Sequence, residues 1–293
     1  VILAAVQAAP AINVPAIAGE TVLFLGGAAA LIWQIKRARR EPPAGVTPWR
    51  TTLLDFGIWV WIVACSIYLG VNILRLAHPV VADASPSGID VLLLASASQL
   101  SALAALLILL RLKKPFSPAP VNGASLPLSR ALKEGALALL AAWPIIVLVS
   151  LGWQEALKLA QKIWPNIQTP PQDAVALLAQ SSSVAETALL VFFAVLVAPV
   201  TEELFFRAGL YRFLKSRLPV SVAIILTSAF FSLSHFNLAQ FLPLFALGIL
   251  LIRLYERTGN IAAPMLLHAF FNLTMILLML LFPDATLSAH ATP

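Results

Sequence analysis

The chain has 293 residues, 60% of them hydrophobic and only 11% charged, and its mean hydropathy is +0.91. A soluble globular domain carries about 25% charged residues, so this composition excludes a water-soluble fold and specifies an integral membrane protein. The net charge of +6 does not point to nucleic acid, because the bases cluster in the connections between apolar segments. The single cysteine, Cys65, excludes an intrachain disulfide framework.

A spanning helix needs about 20 largely apolar residues. Eight segments qualify: 16–35, 53–74, 90–110, 131–152, 184–201, 219–237, 238–254 and 261–282. No strand alternation of membrane-barrel type interrupts them, so backbone polar groups must be satisfied inside helices. The predicted fold is all-α, a polytopic membrane bundle of about eight transmembrane helices. Residues 1–15 are apolar but short, broken by Pro10 and Pro15, with no basic n-region before them. They read as an interfacial segment or the remnant of a trimmed N-terminus, not as a signal peptide.

The Pro-rich linker 115–128 follows the third segment. It divides the sequence into N-terminal membrane helices, 1–130, which carry no chemistry-bearing cluster, and a core, 131–293, which carries all of it. Beyond the fourth segment, Trp153–Trp164 has the apolar spacing of an amphipathic helix lying at the interface, ended by Pro170-Pro171. Glu20, Asp55 and Glu186 stand near segment ends, within reach of water. Trp33, Trp49, Trp143 and Trp153 stand near segment ends too, where aromatic belts form. Asn72 and Gln99 read as interhelical hydrogen bonders. His78 and His290 have no cluster beside them.

Sixteen of the 19 basic residues fall on one side of the bundle. They occupy the connections 36–52 and 111–133, the stretch from Arg207 to Arg217, and the pair Arg253 and Arg257. The other side holds only Arg75, Lys158 and Lys162. By the positive-inside rule the basic side is cytoplasmic and both termini point outward. Discounting Arg207, which lies at membrane depth, does not change this.

Three polar clusters interrupt the last segments: Glu202-Glu203…Arg207, Phe231…His235 and His268…Asn272. An ionised side chain at mid-bilayer costs roughly 3 kcal/mol on insertion scales. Glu203 and Arg207, four apart, share a helix face and can pair. Glu202 is rotated by about 100° from Glu203 on an α-helix and is left to face a cavity, with Pro199 opening the helix just before it. His268 and Asn272 share one face of the last helix. Taken singly, each cluster has a plainer reading: a snorkelling Glu–Arg pair, a helix-joining histidine, a His/Asn hydrogen-bond pair.

Together they offer the parts of peptide hydrolysis, which needs an activated water, an oxyanion stabiliser and a proton donor for the leaving amine. Glu202 and His235 could activate the water while His268 and Asn272 hold the oxyanion. The same residue types also allow Glu202, His235 and His268 to ligate a catalytic Zn²⁺ with one open position. The absence of a His-x-x-x-His pair favours the metal-free assignment. A transporter is the weaker reading, since the clusters have no counterpart in the first three segments and no repeat symmetry.

The three motifs, in order and on separate apolar segments, resemble those of the CPBP family, the CAAX proteases and bacteriocin-processing membrane proteins that include the Rce1-like proteases. The resemblance covers roughly 184–282. It implies an all-helical intramembrane endopeptidase whose site opens toward the cytoplasm, with Glu202 and His235 activating water, His268 and Asn272 stabilising the oxyanion, and Glu203, Arg207 and Phe231 in support. Family members are described both as metalloproteases and as metal-free Glu/His enzymes, so Zn²⁺ remains the alternative cofactor. The implied partners are the lipid bilayer and a membrane-associated protein or peptide, lipidated in some members, with no nucleic acid. The compact length points to the bacterial type in an inner membrane. The competing function is a non-catalytic scaffold or bacteriocin self-immunity protein with the same fold.

Overall fold

The structure, a computed structural model, describes residues 14–78, 88–112, 116–118, 122, 126–167 and 183–281, with the backbone alone at 14–18 and 20. The expectations for 1–13, the Glu20 side chain, Pro170-Pro171 and His290 lie outside the described residues. Among the described residues eight helices follow one another: α1 (Val14–Arg40), α2 (Leu53–Ala77), α3 (Gly88–Arg111), α4 (Leu128–Ile163), α5 (Val184–Lys215), α6 (Val220–Leu233), α7 (Phe241–Thr258) and α8 (Ala262–Leu281). Among the described residues no strand occurs. Five of the helices, α2, α3, α4, α5 and α8, are long and apolar enough to cross a membrane. The protein is a polytopic helical bundle.

Local chemistry sets the helix ends. The Thr52 hydroxyl oxygen accepts from the Asp55 N–H at 3.0 Å and its O–H donates to the Asp55 carboxylate at 2.7 Å, a reciprocal N-terminal cap. Ser183 accepts from the Glu186 N–H at 3.2 Å. Asp55 and Glu186 are thus first-turn residues, where a negative charge suits the helix dipole. Gly259, at φ +62°, ends α7 in the left-handed conformation that a Cβ disfavours and turns the chain into α8.

Three boundaries depart from the apolar pattern. Trp153–Ile163 is no separate interfacial helix but the unbroken end of α4, whose 36 residues extend about 54 Å at 1.5 Å per residue. That exceeds a hydrocarbon core of about 30 Å, so the last turns project beyond it. α6 is the reverse: 14 residues span about 21 Å, short of a crossing. α5 continues through the charged stretch to Lys215, because its charges are paired within the bundle.

α1 packs along α4, α2 pairs with α3, and α7 packs on α6 and α4. α1, which precedes the Pro-rich linker, thus lies against α4, which follows it. One core cluster joins Trp49, Phe56 and Trp59 to Leu204, Tyr211 and Phe213 of α5. A second gathers Phe206, Phe231, Leu247, Leu251 and Leu267 around the polar motifs. Trp49 and Trp143, expected in aromatic belts, are 4% and 8% exposed; Trp49 lies edge-on to Phe56 and Trp59. Position near a segment end fixes depth but not whether the side chain meets lipid or another helix. Asn72 likewise donates to the Tyr68 carbonyl one turn back in its own helix, not across helices.

The basic stretches meet at one end of the bundle. Arg37 of α1 and Arg257 of α7 share Glu134 of α4, at 2.9 and 3.7 Å. Arg212 donates to the Thr47 carbonyl at 2.6 Å and also to the Pro118 carbonyl. Lys215 donates to the Val46 carbonyl at 2.9 Å. These contacts clamp the N-terminal connections onto the end of α5.

α2 presses closely on α5 at Gly209, where a Cβ would lie 2.5 Å from the far edge of the Trp59 ring. Gly209→Ala is expected to cost about 1–3 kcal/mol by overpacking, read as a lower unfolding temperature in detergent. Adding Trp59→Phe should recover most of the loss. An alanine variant as stable as wild type would show that α2 does not press on this helix.

Candidate active site

Pro199 has no N–H to give, and α5 widens on both sides of it. Phe193–Val197 is π-helical, Ala198–Glu202 is α-helical, and Glu203–Tyr211 is π-helical again. π turns inside α-helices occur often at functional sites. The Ala198 N–H reaches back to the Phe193 carbonyl, so it does not serve Ala194, its usual i−4 partner. In the widened turn the donor to Ala194 would be residue 199, which is proline. The Ala194 carbonyl is therefore orphaned, and the Asn272 amide of α8 donates to it at 2.7 Å. One of the two Asn272 N–H groups is spent in this way, and one is left.

The straight α-helix assumed for the Glu-Glu motif is thus corrected, yet its pairing survives. A π turn closes on i→i+5, so residues four apart still lie nearly above one another. Arg207 Nη1 donates to Glu203 Oε1 at 2.9 Å, with both side chains fully buried. Two further groups support the guanidinium: the Gly248 carbonyl at 3.5 Å and the face of Phe231 at 4.4 Å from its centre, a cation–π contact. Phe231 also lies edge-on to the rings of His235 and His268. One ring therefore touches all three motifs.

Both imidazoles are anchored through Nδ1. His268 Nδ1 lies 3.0 Å from Glu203 Oε1, and His235 Nδ1 lies 2.8 Å from the Phe231 carbonyl. A carbonyl or carboxylate oxygen only accepts, so Nδ1 carries the hydrogen in each ring and Nε2 is the free end. Both free ends face Glu202 Oε2, at 4.0 Å from His235 and 3.8 Å from His268. These gaps exceed a hydrogen bond and suit one bridging water. Glu202 Oε2 is buried without a hydrogen-bond partner, while the Glu202 and His235 side chains keep 19% and 17% exposure. Just beyond His235, Phe236 takes φ +48°, uncommon for a residue with a Cβ, and is 96% exposed.

Glu202, Glu203, Arg207, Phe231, His235 and His268 therefore converge, and Asn272 braces the widened turn one helical turn from His268. The Gly248 and Ala194 carbonyls are partners that residue types alone do not reveal, although Pro199 is the visible cause of the second. In kind the donor set matches zinc, with a carboxylate and two Nε2 atoms, each imidazole steadied by an acceptor on Nδ1, but among the described residues no three such groups stand close enough to hold an ion. The spacings of 3.8 and 4.0 Å would have to close by about 0.5–0.7 Å, since ligands at 2.0–2.1 Å on a tetrahedral ion stand roughly 3.3 Å apart.

Residues 184–274 match the model of the family described as type II CAAX prenyl endopeptidase, Rce1-like. The match covers less than half of the chain and takes in α5, α6, α7 and the first part of α8, with all seven residues of the three motifs. No curated protein and no solved structure gives a match.

Proposed function

We propose that this Rce1-like region is the catalytic part of an intramembrane endopeptidase acting on a membrane-associated protein or peptide, with or without an attached lipid. The observation that carries the proposal is the convergence of two anchored imidazoles on Glu202 Oε2 beside a fully buried ion pair. A water held between Glu202 Oε2 and His235 Nε2 gives its proton to Glu202 as its oxygen bonds to the scissile carbonyl carbon. The carbonyl oxygen becomes an oxyanion and is met by His268 Nε2–H and the remaining Asn272 N–H. Glu202 then returns its proton to the amide nitrogen as the C–N bond breaks.

Charge supports the division of roles. Glu202 and Glu203 carry two negative charges against one positive on Arg207, so one further proton makes the cluster neutral. Placed on His268 Nε2, with Glu203 behind Nδ1, that proton is an oxyanion donor. If Zn²⁺ binds, Glu202, His235 and His268 hold it, and it supplies Lewis-acid polarisation and a more acidic water. The basic end of the bundle faces the cytoplasm in this proposal, with both termini outward, in a bacterial inner membrane.

The test is cleavage of candidate membrane peptides by the full chain in liposomes. His235→Ala should cut turnover by roughly 10²–10⁴, and a chelator should leave wild-type turnover unchanged. Turnover lost to the chelator and restored by Zn²⁺ would assign Glu202, His235 and His268 to the metal instead. Full turnover by His235→Ala would remove that residue from the reaction. A co-purifying protein that is bound but never cut would favour the scaffold or immunity reading.

A further inference from the structure

Away from the motif cluster, a cavity of about 560 Å³ opens between the basic ends of α1 and α4. Five cations line it: Lys36, Arg37 and Arg40 from α1, Arg130 and Lys133 from α4. The two acids in its wall are already engaged. Glu134, 5% exposed, is held by Arg37 and faced by Arg257, and Glu41 is held by Arg37 Nε at 2.8 Å. Lys36, Arg40, Arg130 and Lys133 enter none of the ion pairs among the described residues. Four cations gathered around one cavity repel one another and call for an anion, and Arg forks and Lys ammoniums together suit phosphate oxygens.

The same wall indicates where that phosphate comes from. Trp33 lines the cavity, is 46% exposed, and stands beside Arg37 in a cation–π contact of 5.4 Å. An exposed indole beside charges is the signature of headgroup depth. Spacing on α1 puts Val22, Trp33, Lys36 and Arg40 on one stripe, and Val22 and Leu25 are exposed further along the helix. A charged cradle continued by an exposed apolar stripe matches a molecule with a phosphate at one end and acyl chains at the other. Basic pockets between membrane helices take such headgroups.

We infer that this cavity binds the phosphate of an anionic phospholipid headgroup, with Arg40, Arg130 and Lys133 as its principal contacts. The inference does not depend on proteolysis. The test uses the full chain in detergent, offered phosphatidylglycerol or phosphatidylcholine, with retained lipid counted by native mass spectrometry. Phosphatidylglycerol should be retained in preference. The variant Arg40→Gln/Arg130→Gln/Lys133→Gln should bind it about tenfold more weakly or worse. The equally charged control Arg50→Gln/Arg111→Gln/Arg253→Gln, at exposed bases outside the cavity, should not. A second measurement uses the wild-type cavity: brominated phosphatidylglycerol should quench a fluorescence component that Trp33→Phe lacks. Equal loss in the two triple variants, equal retention of both lipids, or no Trp33-dependent quenching would overturn the inference. Displacement of the lipid by millimolar inorganic phosphate would also overturn it, assigning the cavity to a soluble phosphate.

Discussion

Replacing Glu202 with glutamine lowers peptide cleavage by roughly 10²–10⁴, the usual contribution of a positioned general base, and leaves the unfolding temperature unchanged. The side chain keeps its shape and loses only its capacity to take a proton. Because Glu202 makes no ion pair with Arg207 and retains 19% exposure, its neutralisation leaves Arg207 paired with Glu203. Activity and stability should therefore separate at this position. The measurement is turnover of a membrane peptide in liposomes beside a thermal melt of the same preparation. A variant that cuts at the wild-type rate would take Glu202 out of the base role, whatever the melt shows.

The second large effect falls on stability. Arg207→Ala should cost about 3–5 kcal/mol, the range seen when one partner of a buried ion pair is removed. Glu203 is fully buried, and without Arg207 its charge has only the His268 ring to answer it. Arg207→Lys should recover part of the loss: it restores a charge but not the planar group that lies over Phe231 and reaches Gly248. The paired change Glu203→Gln/Arg207→Gln should destabilise by less than the sum of its single variants, because no uncompensated charge remains. Additive losses in that cycle would mean that the two side chains are not coupled. Their shared effect on catalysis would act through His268, whose Nδ1 is anchored to Glu203.

Much of this site can be read from residue spacing alone. Charged and imidazole side chains in hydrocarbon are costly enough that Glu202, Glu203, Arg207, His235 and His268 stand out singly. The i,i+4 relation also gives the Glu203–Arg207 pair, without any knowledge of the fold. Asn272 was harder: its position beside His268 suggested an oxyanion donor, while its visible bond is to the carbonyl that Pro199 and the π turn leave bare. Trp49 misled for a related reason, since burial depends on which neighbour covers a side chain and not on its distance from a helix end. The unbroken run of α4 to Ile163 and the shortness of α6 were hidden too, because apolar composition marks membrane depth more clearly than it marks where hydrogen bonding stops.

Composition, apolar length and the distribution of lysine and arginine determined the membrane location, the eight helices and the separation of a basic end from the other. These are sums over local transfer free energies, which need no partner segment. What the tertiary structure decided is which polar groups meet. Glu203 and His268 are 65 positions apart in the chain and Asn272 and Ala194 are 78 apart. The Nδ1 anchors, the convergence of both Nε2 atoms on Glu202 and the cavity between α1 and α4 all depend on helices brought together by packing. A buried polar group takes whichever partner packing places within about 3 Å, and spacing within one segment cannot name a partner on another.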